Sequence, residues 1–308
     1  MSSYEARPLP APRPVVDPVA APFRLALGLR ALRADEPWLD VDADLASDLR
    51  EKRRLLEERR DRMFVELPES RPAQREALGR VVETLTSRYP HWYRRVSGKL
   101  HVTATGDEID LRADGLPPLE AAARCVQEDL CVMEARRGAW CLTAGAVCFP
   151  TRWELAPKLG CSMTTIHERV PGYRATLDYP ANRFFDGMKA CAVFRRANWS
   201  LMDDPALYQP TGKHRTARRP ELDGRNAGRL VWLRVEQQTL QRLPRTGAIL
   251  FGIRIHRTRL DAVARDRDAA RALLGAIETM SPAMQRYKSL MSVRDSAVQY
   301  LLARLQAP

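Results

Sequence analysis

The stretch from Gly138 to Tyr173, GAWCLTAGAVCFPTRWELAPKLGCSMTTIHERVPGY, constrains the fold more than any other. It opens with an apolar run holding Trp140, Leu142, Ala146, Val147 and Phe149. That run is far shorter than the roughly 18 residues a membrane span needs, and it suits a buried strand. Pro150 ends it, because proline cannot donate to a strand ladder. Thr151 stands three residues before Glu154, the spacing of a capping box, which predicts a helix closed by Gly160. Ser162 then predicts the cap of a second, very short helix running toward Val170 and Pro171. On it Met163, Ile166, His167 and Val170 fall at i, i+3, i+4 and i+7, which turns the His167 imidazole inward. Such an imidazole has two readings. The commoner is a core histidine bonded to a backbone carbonyl; the sharper is an axial ligand to haem iron, which takes a neutral imidazole in an apolar pocket.

The remaining pattern is α+β: an antiparallel sheet with flanking helices and added N- and C-terminal helices. A chain of 308 residues, 45% apolar, suits one large domain or two small ones. Residues 1–22 form a proline-rich extended arm, and Phe23, Leu25, Leu27 and Leu29 then alternate. A helix starts at Asp44 with Leu45, Leu49, Leu56 and Met63 on one face, and another runs from Pro72 to Tyr89. HWYRR (91–95) reads as a surface loop, followed by a hairpin turning at Gly106-Asp107. Pro117 opens a helix with Leu119, Ala123, Val126 and Leu130 inward. Pro180 sits in the first turn of a helix carrying Phe184, Phe185 and Met188. Tyr208 to Gly228 reads as a long loop. Strands are expected from Arg229 to Glu236 and from Ala248 to His256, with Ile249, Phe251, Ile253 and Ile255 sharing one face and QQTLQRLPRTG as a loop between. One helix then spans about Arg265 to Thr279, and Ser281-Pro282 caps another through Leu290, Val293, Ala297 and Leu301. We therefore expect a single domain over 23–308 with a C-terminal helical extension of about 265–308.

Six cysteines (Cys125, Cys131, Cys141, Cys148, Cys161, Cys191) show no C-x-x-C spacing. This argues against a zinc ribbon, a cysteine-held iron–sulfur cluster and covalent c-type haem; Cys161 is a lesser candidate for a thiolate ligand. No membrane span and no basic–apolar–cleavage pattern is present, so a cytoplasmic location is expected. The formal net charge is +12. Without a zinc finger, RNP-like or basic-helix signature, nucleic acid is not the expected partner. Solvated arginine-rich faces explain the charge, or a basic face that steers an acidic redox partner.

Four blocks carry a resemblance: CFPTRWELAPKLG (148–160), IHERVPGY (166–173), RRANW (195–199) and VEQQTLQRLPRTGAILFGIR (235–254). In this order and spacing, over roughly residues 23–264, the chain resembles the alpha subunit of the haem-dependent oxidative N-demethylases. The resemblance implies a PAS-like haem-binding domain that oxidises a small methylated amine, dimethylamine-like, with O2. Electrons would come from a separate NADPH-linked flavin/iron–sulfur reductase. The cofactor implied is haem b, with His167 as iron ligand and Arg196, Arg242 and Phe184 around it. Arg234 is then the first candidate for a cationic donor on the distal wall, Arg196 and Arg242 being weaker ones or propionate anchors. Glu236 and Trp199 would meet the ammonium. His256, on the polar side of its strand with Arg254, is a poorer ligand than His167. The chain departs from the family at Gln237, where an arginine is typical, and at His256, where an aromatic is. Both leave room for another amine, or for a PAS-like haem protein that senses O2 or an amine without turnover; the absence of an output segment disfavours the sensor.

Overall fold

The computed structural model describes residues 9–11, 15–16, 19–112, 115–190, 192–217 and 219–307. Most of the proline-rich arm, and Cys191, lie outside the described residues. Numbered along the chain, the strands are β1 (Arg30–Ala31), β2 (Phe64–Glu66), β3 (Tyr93–Val96), β4 (Lys99–Val102), β5 (Asp107–Asp110), β6 (Asp129–Arg136), β7 (Ala139–Ala146), β8 (Val193–Met202), β9 (Trp232–Arg242) and β10 (Ile249–Arg259). Seven form one antiparallel sheet in the order β1-β8-β9-β10-β6-β7-β2, and β3-β4-β5 make a small second sheet. The apolar run from Trp140 is β7, next to the edge, and β10 takes the centre.

Side chains alternate across a strand, and directly paired residues share a face. The β8–β9 and β9–β10 registers are unbroken. One face therefore carries Phe194, Arg196 and Asn198 from β8, Arg234, Glu236, Gln238, Leu240 and Arg242 from β9, and the Ile249–Ile255 apolar set from β10. Helices Met163–His167 and Asp178–Gly187 cover this face, their Met163, Phe185 and Ile166 packing with Leu240, Ile249 and Phe251. The opposite face is covered twice. Helices Leu45–Glu58, Arg71–Arg88 and Pro118–Ala123 pack on Leu130, Val132 and Leu250. Helices Arg267–Thr279 and Arg294–Gln306 pack on Trp199, Leu201, Leu233 and Val235. No helix among the described residues is long and apolar enough to cross a membrane.

Several expectations are corrected. The capping-box helix after Thr151 does not form. The Thr151 hydroxyl accepts from Arg234 Nε at 3.0 Å, Arg152 takes a φ of +57°, and a single 3-10 turn, Ala156–Lys158, remains. The helix from Pro117 stops at Ala123, because Gln127 and Glu128 turn away to bond the 40–48 segment, and Leu130 already belongs to β6. Tyr93 to Val96, read as loop, pair with β4. The glutamine-rich half of QQTLQRLPRTG continues β9 to Arg242, so β9 and β10 are a long hairpin turning over 243–248. The last helix breaks at Ser289, with φ +57°, into Pro282–Tyr287 and Arg294–Gln306.

Candidate functional site

A helix of five residues is too short to persist alone. Met163–His167 is held by neighbours instead. Ser162 Oγ accepts from Thr165 N at 3.2 Å, Thr164 Oγ1 donates to Asp178 Oδ1 at 2.6 Å, and Lys158 Nζ reaches Ile166 O at 3.4 Å. His167 Nδ1 lies 2.8 Å from Met163 O. A carbonyl can only accept, so Nδ1 carries the proton, and the neutral ring keeps its lone pair on Nε2. Burial lowers the pKa of His167 and the cations Lys158 and Arg196 add to this, which favours the neutral form. Gly172, with φ +80°, turns the chain so that Tyr173 stacks on the imidazole at 4.8 Å and 14°. The bond to Met163 O is the one the core-histidine reading expects, and it leaves Nε2 without a hydrogen bond among the described residues. A backbone carbonyl holds one nitrogen so that the other is presented, the usual outer-shell arrangement of a metal-ligating histidine.

Across from it the sheet contributes a polar floor. Arg196 Nε donates to Leu27 O at 2.7 Å and its Nη1 to Gln238 Oε1 at 2.7 Å; Gln238 Nε2 donates to Glu236 Oε2 at 3.1 Å. This chain of bonds fixes the Glu236 carboxylate. Two lysines stand near. Lys288 Nζ donates to Asn198 Oδ1 at 2.6 Å and Trp199 O at 2.7 Å, and Lys213 Nζ lies 3.8 Å over the Tyr287 ring. Burial pulls Lys213 down to about 8 and Lys288 to about 7, with Glu236 acting in the opposite sense on both. Burial pushes Tyr173 and Tyr287 up to about 12. Phe194, Arg196, Asn198 and Glu236, on the face that helices Met163–His167 and Asp178–Gly187 cover, are half-buried and line the candidate crevice. Phe184 meets Phe194 edge-on at 4.8 Å and gives it an apolar wall.

The other expected residues stand elsewhere. Arg234 shares the face of Glu236, but its guanidinium is spent on the backbone. Nη1 donates to Ala206 O at 3.1 Å and Nη2 to Phe149 O at 2.8 Å and Leu207 O at 2.9 Å. Arg242 donates to Phe185 O at 2.6 Å and lies over Trp140, at the far end of the Asp178–Gly187 helix from His167, about 10 Å along its axis. The Trp199 ring is on the opposite face, edge-on to Phe23 at 6.4 Å in the core of the C-terminal helices, and so does not stand beside Glu236. His256 and Gln237 also lie on that opposite face, where Gln237 bonds Asp40. The thiol of Cys161 donates to Pro157 O at 3.5 Å. Sequence reasoning missed the stacking role of Tyr173, which sits inside the IHERVPGY block, and missed Lys213, Tyr287 and Lys288. These last three have no local signal, because tertiary folding brings them from a loop and from the C-terminal helices.

A family model described as haem-dependent oxidative N-demethylase, alpha subunit-like, matches residues 28–298, which take in His167, Arg196, Lys213, Glu236 and Lys288. The residues present fit the haem that this description names. With Nδ1 held by Met163 O, His167 offers a single nitrogen, Nε2. That suits a group bringing its own equatorial ligands, and the Phe184–Phe194 wall and the cation Arg196 suit a macrocycle with apolar faces and an anionic edge. By the length of the match, the chain belongs to the haem-dependent oxidative N-demethylase, alpha subunit-like family.

Proposed function

We propose that the protein removes a methyl group from a small methylated amine as formaldehyde, in a PAS-like domain spanning 23–308 in the cytoplasm. The buried, unpaired thiols of Cys125, Cys131, Cys141 and Cys148 suit that reducing compartment. The reaction takes one O2, two electrons and two protons per methyl group and releases water with the formaldehyde. A separate NADPH-linked flavin/iron–sulfur reductase supplies the electrons, and the +12 charge gives an acidic partner a surface to meet. His167 Nε2 would hold haem b, which would supply O2 activation, O2 being the oxidant. The chain's own residues do the rest. The Met163 carbonyl fixes the imidazole tautomer, and Phe184 and Phe194 keep water from one wall. Glu236, locked by Gln238 and Arg196, receives the ammonium. Lys288, drawn to about 7, can exchange a proton near neutral pH. Arg234 acts at one remove, by framing the crevice with the 149–151 and 206–207 segments.

The observation that carries this reading is the Nδ1–H bond from His167 to Met163 O, which presents Nε2. The test is the visible spectrum of the purified protein with and without dithionite, beside that of His167→Ala. The wild type should show a stoichiometric Soret band and the variant none, with circular dichroism unchanged. A variant that kept histidine-ligated haem would refute the assignment, and a wild type without a Soret band would refute the function.

A further inference from the structure

Two successive turns fix Tyr173 beside His167. Val170 N donates to His167 O at 2.9 Å, and Tyr173 N donates to Val170 O at 3.0 Å. Within the second turn Gly172 takes a φ of +80°, a left-handed conformation that costs glycine little. Leu177 N donates to Tyr173 O at 2.7 Å and ties the residue to the helix that follows. The outcome is a near-parallel stack of phenol on imidazole, with ring centroids 4.8 Å apart and planes 14° apart. Tyr173 is only 5% exposed, and its hydroxyl is buried with no hydrogen-bond partner among the described residues. Phenylalanine would stack as well and leave no polar atom unmet. A buried hydroxyl without a partner is costly, and such groups are rare in folded proteins. This one needs an acceptor that arrives with a ligand.

The stack on His167 limits what that acceptor is. Nδ1 is bonded to Met163 O, so Nε2 is the nitrogen left for iron. A ring stacked on the imidazole shares its side of a bound macrocycle, and the macrocycle screens it from O2 and amine at the open iron position. The pyrrole nitrogens of haem b are taken by iron, and its vinyl and methyl groups accept no hydrogen bond. Its two carboxylates are the acceptors that remain. We propose that the Tyr173 hydroxyl donates a hydrogen bond to a carboxylate of the haem, so that one residue both stacks on the iron-binding imidazole and anchors the cofactor's anionic edge. A bond from a phenol to a carboxylate is charge-assisted and belongs to the stronger class. The phenol keeps its proton for this, since burial pushes it up to about 12. The inference rests on the haem-binding reading above and adds a cofactor contact to it.

The experiment measures haem release to an acceptor protein from loaded wild type, Tyr173→Phe and Tyr173→Leu, with haem b and with its dimethyl ester. Tyr173→Phe keeps the stack and removes the hydroxyl, so haem b should leave about tenfold faster or more, the usual weight of one hydrogen bond to a charged group. In resonance Raman spectra of the ferrous protein, its Fe–His stretching band should stay in place while the propionate bending band shifts. Tyr173→Leu removes the stack as well and should move the Fe–His band. The ester carries no carboxylate, so wild type and Tyr173→Phe should release it within about twofold of each other. Equal release of haem b from wild type and Tyr173→Phe would overturn the inference, the hydroxyl then being met by water. A tenfold difference that persisted with the ester would overturn it too, since the hydroxyl would be acting through the imidazole or the fold. A wild type without a Soret band would remove the haem reading and this contact with it, whereas equal release from two loaded proteins would remove the contact alone. Tyr173-dependent release from a loaded protein that oxidises no amine would keep the contact and remove demethylation.

Discussion

Arg234 and Glu236 are one pleat repeat apart on the same face of β9, yet their substitutions should fail in different ways. Arg234 is only 2% exposed, and its donors satisfy the carbonyls of Phe149, Ala206 and Leu207. Burial even draws its pKa down to about 10. Arg234→Met leaves those acceptors without partners, at about 1–3 kcal/mol each where water cannot replace the bond. The expected loss is about 3–5 kcal/mol of unfolding free energy, read as a lower urea midpoint. Glu236→Gln keeps the shape of a half-buried side chain and should change stability by less than about 1 kcal/mol, while amine affinity collapses. A normal urea midpoint for Arg234→Met would return that arginine to the list of pocket donors. His256 tests the other face. Burial, with Arg254 adding, pushes its pKa down to about 3, and its Nε2 is buried without a hydrogen bond. The unfolded histidine titrates near 6.5. Between these values only the unfolded chain takes up the proton, so the contribution is full above about 6.5 and is lost as pH falls toward about 3. From pH 7 to 4.5, wild type should lose on the order of 2 kcal/mol more stability than His256→Phe. Parallel pH profiles for the two would show that the ring is hydrated in the native state.

At the scale of elements, the Met163–His167 helix depends on its ends. Ser162→Ala removes the cap on Thr165 N, which costs about 1 kcal/mol in ordinary helices. The fold should survive, because Thr164–Asp178 and Lys158–Ile166 still hold the helix. Haem transfer to an acceptor protein should nevertheless quicken several-fold, since the strain falls on the turn that aims His167. An unchanged transfer rate would mean that Tyr173 stacking alone positions the ring. This cap, like the alternation of β10 and the Asp44 start of the first helix, was legible because its signal is local: a few residues whose chemistry answers to one another. Thr151 had an equally good local signal and did not obey it, because a distant arginine took its hydroxyl. The second half of β9 was illegible for a related reason. Gln238 and Gln241 read as loop residues, but β8 and β10 pair with both sides of the strand, and ladder bonding overrides weak β-propensity. In the site, His167, Arg196 and Glu236 could be found from motif and parity. Lys213 and Lys288 could not, because nothing near them in sequence refers to the crevice.

The whole molecule explains why Lys288 arrives there. From sequence the helices after residue 265 look like an appendage to the sheet domain. In the structure they are half of its second core. Leu273, Ile277, Leu290 and Leu301 are fully buried, and they cover Leu201, Leu233 and Val235 on the face of β8 and β9 opposite the crevice. From there the chain wraps the sheet edge, where Ser289 takes its left-handed turn, Arg152 Nη1 reaches Ser289 O at 3.5 Å and Lys288 bonds β8. One element thus seals one face and furnishes the other. Burying each large aliphatic side chain is worth roughly 1.5–3 kcal/mol, and a domain's whole margin is about 5–15 kcal/mol. Four such side chains and the strand residues beneath them already match that margin. A chain ending at Ala264 should therefore fail to fold, rather than persist as a minimal haem domain. Leu301→Ala is the graded version. It should cost about 2–5 kcal/mol, because the cavity opens in a packed interior. Its urea midpoint should fall while the Soret maximum stays in place, since Leu301 touches only the sealing side. If the 1–264 fragment instead folded and took up haem, the C-terminal helices would be an accessory layer. The position of Lys288 would then be an addition to a site complete without it.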